Sequence, residues 1–241
     1  MAGIEAVLQF LSRDPAAVDE TAVLLRDSMV YRAESVIFHL QLLNRQFAAL
    51  THQAQPRVLA GHPSPHLHRS LYSLTFLSDD VLFNTMSMLD YAGNVAGYAL
   101  VGQNYRSIKW NGMAKTARDK NNPLRGKQAC VALLKENDDW IDKLQNIRSE
   151  IIHERVRLGE GTRVTTFGGE DVGLVSRLSI VMPQAVVKRL KFLEADPDGS
   201  VPLVGGTEQI ALRAMDSAKA VMVALKADLV AENADRKRSP K

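Results

Sequence analysis

Apolar residues recur at steps of three and four along most of this chain, a rhythm that helices can bury on one face and strands cannot. Between Val36 and Leu50 the stripe Val36, Leu40, Leu43, Phe47, Leu50 marks one helix face. A longer helix is expected from about Arg69 to Val101, because Leu74, Leu77, Val81, Thr85, Met88, Ala92, Val95 and Ala99 keep the same spacing. Unbroken, it would span roughly 50 Å. Gly93 and Gly97 remove side-chain bulk from one side of it, which either admits a close neighbour or marks a bend. A further helix carries Ala129, Leu133, Trp140, Leu144, Ile147 and Ile151, and the last one Ile210, Ala214, Ala218, Val221, Leu225 and Leu229.

The interruptions complete the outline. The stretch "HQAQPRVLAGHPSPH", with three prolines and a glycine, is expected to end the first helix, and "KNNPLRG" at 120–126 reads as a turn. After Leu158 the rhythm gives way to glycines and to two runs rich in Val, Thr and Ile around "GGED", which fits a β-hairpin or extended insertion near 162–182. The expected architecture is therefore all-α: one helical domain over 1–234, a small inserted hairpin, and a basic disordered tail at 235–241.

With 241 residues the chain can bury a core without a metal or a disulfide. Its single cysteine, Cys130, has no intrachain partner, and with eight methionines this points to a reducing compartment, the cytoplasm. The start "MAGIEAVLQFLSRD" lacks the basic region of a signal peptide. The most apolar window, 81–101, carries Asn84, Asp90 and Asn94, and a carboxylate mid-span is costly in lipid, so no membrane is expected as a partner. The net charge of +3 does not by itself indicate nucleic acid. Basic residues do gather at 105–127 (Arg106, Lys109, Lys115, Arg118, Lys120, Arg125, Lys127) against Asp119 alone; a solvated face is the preferred reading of that patch by itself.

One short stretch carries chemistry. In "IRSEIIHER", residues 147–155, Arg148 and His153 combine a forked, permanently charged donor with a side chain that exchanges protons near neutral pH. Together they could support phosphodiester cleavage, the imidazole moving protons and the guanidinium offsetting charge on the phosphoryl oxygens. Helix geometry opposes a simple pairing, since five residues turn the helix by about 140° between the two positions. A helix distortion, or a groove completed by a second subunit, is needed to aim both at one phosphate.

The wording "R-S-E-I-I-H", late in a helical bundle, resembles the HEPN superfamily, whose members carry an arginine, an adjoining polar residue and a histidine four to six residues after the arginine. "LFNTMSMLDYAGNVAGYAL" and "SIKWNGMAK" are also similar to stand-alone HEPN families. The resemblance covers about 31–158, with 207–232 as a closing helix. It implies a metal-independent endoribonuclease without cofactors, a homodimer whose motif helices line a basic cleft, and 2′-hydroxyl attack on the neighbouring phosphate. By position, Arg148 would hold the phosphate, Ser149 would orient the site, and His153 would serve as general acid or base. Arg106, Lys109, Lys115, Arg155 and Arg157 would contact RNA. A toxin or defence effector with an antitoxin or defence partner is one implied setting; a non-catalytic RNA-binding or dimerisation module is the alternative. Two departures stand out: Ser149 is shorter than the usual Asn or Asp, and Arg155 replaces the tyrosine of the branch paired with nucleotidyltransferase antitoxins.

Other polar groupings have plainer readings. His62, His66 and His68 in "HPSPHLH" lack the carboxylates or cysteines of a complete metal site, so a proline-rich loop suffices. His39 reads as a packed histidine, Asp90 and Asn94 as interhelical hydrogen-bonding groups, and "GGEDVG" as a hairpin turn.

Overall fold

The computed structural model describes residues 20–59, 65–102, 108–153, 162–167 and 175–238, with the side chains of 53–71, 152–179, 233 and 235–238 outside that description. Within these limits the chain is predominantly helical. In order come α1 (Glu20–Leu59), α2 (Pro65–Val101), α3 (Trp110–Arg118), a 3-10 turn (Pro123–Gly126), α4 (Gln128–Glu136), a π turn (Asn137–Ile141) and α5 (Asp142–His153). Strands β1 (Thr162–Phe167) and β2 (Val175–Ile180) follow, then α6 (Gln184–Arg189) and α7 (Leu203–Arg238). The strands pair antiparallel, from Thr162 opposite Ile180 to Phe167 opposite Val175. No described helix is long and apolar enough to cross a membrane.

α1 ends inside the proline-containing stretch as expected, running through Pro56 to Leu59; the start of the next helix differs from the sequence expectation. That proline sits in the final turn, where it removes one hydrogen bond and leaves no helical segment beyond it to kink. α2 begins at Pro65 rather than near Arg69, with the proline at the first helical position, where its missing N–H had no partner in any case. Gly102, at φ +73°, closes α2 in the left-handed conformation that a Cβ disfavours.

The chain forms two compact units, one of Met1–Glu34, Thr85–Asp142 and Arg213–Lys241, the other of Ser35–Asn84 and Lys143–Leu212. In the first unit, Gly93 admits the backbone of α3: a Cβ there would stand 2.9 Å from Trp110 Cα and N. Asp90, one turn earlier, accepts a hydrogen bond from the Trp110 N–H at 3.2 Å and so caps α3, whose own N-cap residue, Lys109, offers no side-chain acceptor. Trp110 is fully buried. Asp228 of α7 does the same for α4, accepting from the N–H groups of Gln128 at 2.9 Å and Ala129 at 2.8 Å. Lys127 and Glu232 form an ion pair beside it. The π turn buries Asn137, Trp140 and Ile141. There the Trp140 indole N–H donates to Glu136 Oε2 at 3.1 Å and to Ser217 Oγ at 3.3 Å, and the Ser217 hydroxyl donates to the same Glu136 oxygen at 2.6 Å.

Cys130 lies buried in α4. Burial first, and the Asp228 carboxylate second, push its thiol up to about 11, with Lys127 opposing them. The thiol should therefore resist iodoacetamide at pH 8 in the native protein and react once the chain is unfolded, measured by mass shift. The unfolded thiol ionises at its ordinary value of 9.0. Stability is thus unaffected by this group below that pH and falls as pH rises toward 11. A Cys130→Ala variant should lack this part of the alkaline decline.

In the second unit, Val36, Leu43, Leu50, Leu74, Val81 and Leu82 are buried, as are Leu144, Ile147, Leu190 and Leu203. The segment after β2 is held by a bridge between Val181 and Pro202 and by the Met182 N–H donating to Val201 O at 2.9 Å. The Glu194 N–H donates to Gln209 Oε1 at 2.7 Å, and Arg189 pairs with Glu150.

Candidate functional site

α5 presents Arg148 at the border between a buried and a solvated face. Leu144 and Ile147 are buried, Ser149 is exposed, and Arg148 is half-buried between them. Its guanidinium carbon lies 5.6 Å from the centre of the Phe83 ring of α2, within range of a cation–π attraction. Its Nε is buried without a hydrogen-bond partner. One turn earlier, Gln145 Oε1 is likewise buried and unpartnered.

Four other arginines of the fold have carboxylate partners. Arg118 pairs with Asp138, Arg189 with Glu150, Arg213 with Asp139 and Arg26 with Asp27. Among the described residues Arg148 has an aromatic face and no carboxylate. The ring can share the guanidinium plane while leaving its N–H edge directed elsewhere, whereas a carboxylate would occupy that edge. A buried N–H without an acceptor costs about 1–3 kcal/mol, a cost that an incoming anion would remove.

His153 ends α5, with its side chain outside the described residues. The distortion in this part of the chain, the π turn at Asn137–Ile141, lies before Arg148. Asp142–His153 is regular α-helix, so the rotation of about 140° between Arg148 and His153 stands. The helix itself does not aim the two at one point. Of the two solutions posed by the sequence, helix distortion is absent between these positions.

Arg148, Ser149 and His153 thus share one helix. Lys115 is exposed on α3 and Lys109 is exposed just before its first residue, both in the first unit. Arg106, Arg155 and Arg157 lie outside the described residues, as does His62; His66 and His68 lie on α2 with their side chains outside the description. His39 Nδ1 sits 2.7 Å from the Ser35 carbonyl oxygen, the position of a packed helix histidine. Among the described residues no group of three His, Cys, Asp or Glu side chains is arranged to hold a metal ion. Asp90 is an interhelical hydrogen-bonding group, accepting from Trp110. The residue that sequence reading missed is Phe83. Nothing in its local spacing signals a role, because the arginine it faces is 65 positions away in the chain.

No protein-family model, curated protein or solved structure matches this chain.

Proposed function

We propose that the protein is a metal-independent endoribonuclease of HEPN type, acting as a homodimer. The observation that carries this reading is Arg148, a half-buried guanidinium stacked on Phe83 with no carboxylate among the described residues, inside the motif "RSEIIH". A phosphodiester supplies the acceptor that Arg148 lacks.

In the reaction, the ribose 2′-oxygen bonds to phosphorus as the bond to the 5′-oxygen breaks. The products are a 2′,3′-cyclic phosphate and a 5′-hydroxyl. Arg148 would offset the charge building on the non-bridging oxygens, the step at which such donors are most effective. His153 would take the proton from the 2′-hydroxyl or deliver one to the leaving oxygen, and Ser149, exposed beside Arg148, would orient the phosphate. The angle between Arg148 and His153 makes the homodimer part of the proposal, since a two-fold axis brings two copies of each residue to one groove. The lysines Lys109 and Lys115, and Arg106, Arg155 and Arg157 of the sequence, would supply the charge that holds an RNA backbone. Such an enzyme acts in the cytoplasm as a toxin or defence effector, restrained or triggered by a partner protein.

Incubation with RNA in EDTA, beside a His153→Ala variant, tests the assignment. The wild type is expected to cut and the variant to bind RNA with little turnover, a loss of roughly 10²- to 10⁴-fold for a general acid or base. Binding without cutting by both would leave a non-catalytic RNA-binding module and refute the enzyme.

A further inference from the structure

Two polar atoms of α5 are buried without a hydrogen-bond partner among the described residues, and they are of opposite kind. The Nε–H of Arg148 is a donor, and Oε1 of Gln145 is an acceptor. Residues three apart on a helix are neighbours, with about 5–6 Å between their Cβ atoms, and the later side chain leans back toward the earlier one. A hydrogen bond between the two would satisfy both atoms, yet the fold does not make it. The guanidinium lies on the Phe83 ring instead, its carbon 5.6 Å from the ring centre. All three residues belong to the second unit. Gln145 and Arg148 are each half-buried rather than sealed, so rotation of their side chains is enough to bring a ligand group to these atoms.

A single group that meets both atoms must accept from one and donate to the other. A phosphodiester oxygen only accepts, whereas a hydroxyl does both. We infer that Gln145 reads a ribose 2′-hydroxyl: the hydroxyl accepts from Arg148 Nε–H and donates to Gln145 Oε1, while the terminal guanidinium N–H groups hold the phosphate beside it. The inference rests on the proposed reading of Arg148 as the residue that holds an RNA phosphate, and it adds the residue that tells RNA from DNA. Arginine suits this division, because its donors form a flat, rigid fork that addresses neighbouring oxygens. A carboxamide takes no proton near neutral pH, so Gln145 recognises the sugar and proton transfer stays with the motif histidine. Deoxyribose offers no hydroxyl and would leave both buried atoms unmet in the complex, which is the source of the discrimination.

The test measures binding separately from cutting. The full chain carrying His153→Ala, which spares the RNA, is titrated against a labelled single-stranded RNA and against the same sequence with 2′-fluoro riboses, followed by fluorescence anisotropy. Fluorine keeps the ribose pucker but cannot donate a hydrogen bond. RNA should bind about tenfold more tightly than its fluoro counterpart. Adding Gln145→Met or Gln145→Leu, apolar side chains of similar volume, should bring the RNA affinity down to the fluoro value with helical circular dichroism unchanged. Equal affinity for the two ligands in the starting chain would assign the two atoms to ordered water and overturn the inference. An undiminished preference in both Gln145 variants, or no RNA binding, would overturn it equally. Cutting by the wild type decides the ribonuclease reading on its own: preference without cutting leaves Gln145 as a reader of the 2′-hydroxyl and refutes the enzyme, and cutting without preference does the reverse.

Discussion

Arg148→Ala is expected to slow RNA cleavage roughly 10²- to 10³-fold, the usual cost of removing a donor aimed at charge developing in a transition state. The fold should tolerate the change. The side chain makes no ion pair among the described residues, and its buried Nε is unpartnered, so truncation removes the Phe83 contact together with a desolvated donor. The first loss is about 0.5–2 kcal/mol and the relief of the second is of similar size. A melting temperature within a few degrees of wild type, beside a collapsed single-turnover rate, separates this from general unfolding. Arg148→Lys should recover only part of the rate, because an ammonium retains the charge but loses the flat fork that stacks on a ring and grips two phosphate oxygens. An Arg189→Ala variant is a useful contrast: it breaks the pair with Glu150, which is partly solvated, and should alter stability by no more than about 1 kcal/mol.

The largest effect on stability is expected at Asp228. It is 6% exposed and accepts from two consecutive backbone N–H groups at the start of α4, so its charge is satisfied by hydrogen bonds and by the positive end of the helix. Asp228→Ala would leave the buried Ala129 N–H and the part-buried Gln128 N–H without their acceptor and should cost about 2–4 kcal/mol, lowering the melting temperature by about 5–15 °C. Asp228→Asn keeps one oxygen for one N–H and should cost about half as much. Thermal unfolding followed by circular dichroism gives both numbers. Equal effects of the two substitutions would mean that charge, rather than hydrogen-bond capacity, dominates there.

The positions that the apolar rhythm assigned to buried faces are largely buried in the fold. All six stripe residues of α7, Ile210 to Leu229, are buried, as are Ala129, Leu133, Trp140, Leu144 and Ile147 in the helical stretch before the motif. Such faces are legible because a helix repeats locally and water excludes each apolar position for the same reason. What was not legible depends on distant partners. Asp228 reads as one more polar residue on a long helix, and only the arrival of α4, 99 and 100 residues earlier in sequence, makes it a cap. Phe83 likewise acquires meaning only from Arg148 across the second unit. The π turn leaves the apolar spacing of α4 and α5 almost intact, so periodicity does not reveal it.

At the motif, the resemblance singled out the residues and the structure sharpened the condition on them. Arg148 has the surroundings of an anion-holding group, while the regular helix keeps His153 at a different angle. The proposed reading therefore calls for a second copy to bring the two residues to one phosphate.

The most direct measurement is the cleavage of a fluorescently labelled RNA by the purified chain in EDTA, with the ends of the products identified, beside Arg148→Ala at equal concentration. The account predicts cutting by the wild type, 2′,3′-cyclic phosphate and 5′-hydroxyl ends, and a rate for Arg148→Ala lower by at least about a hundredfold. Equal rates for the two proteins, or no cutting of any RNA by the wild type, would contradict it.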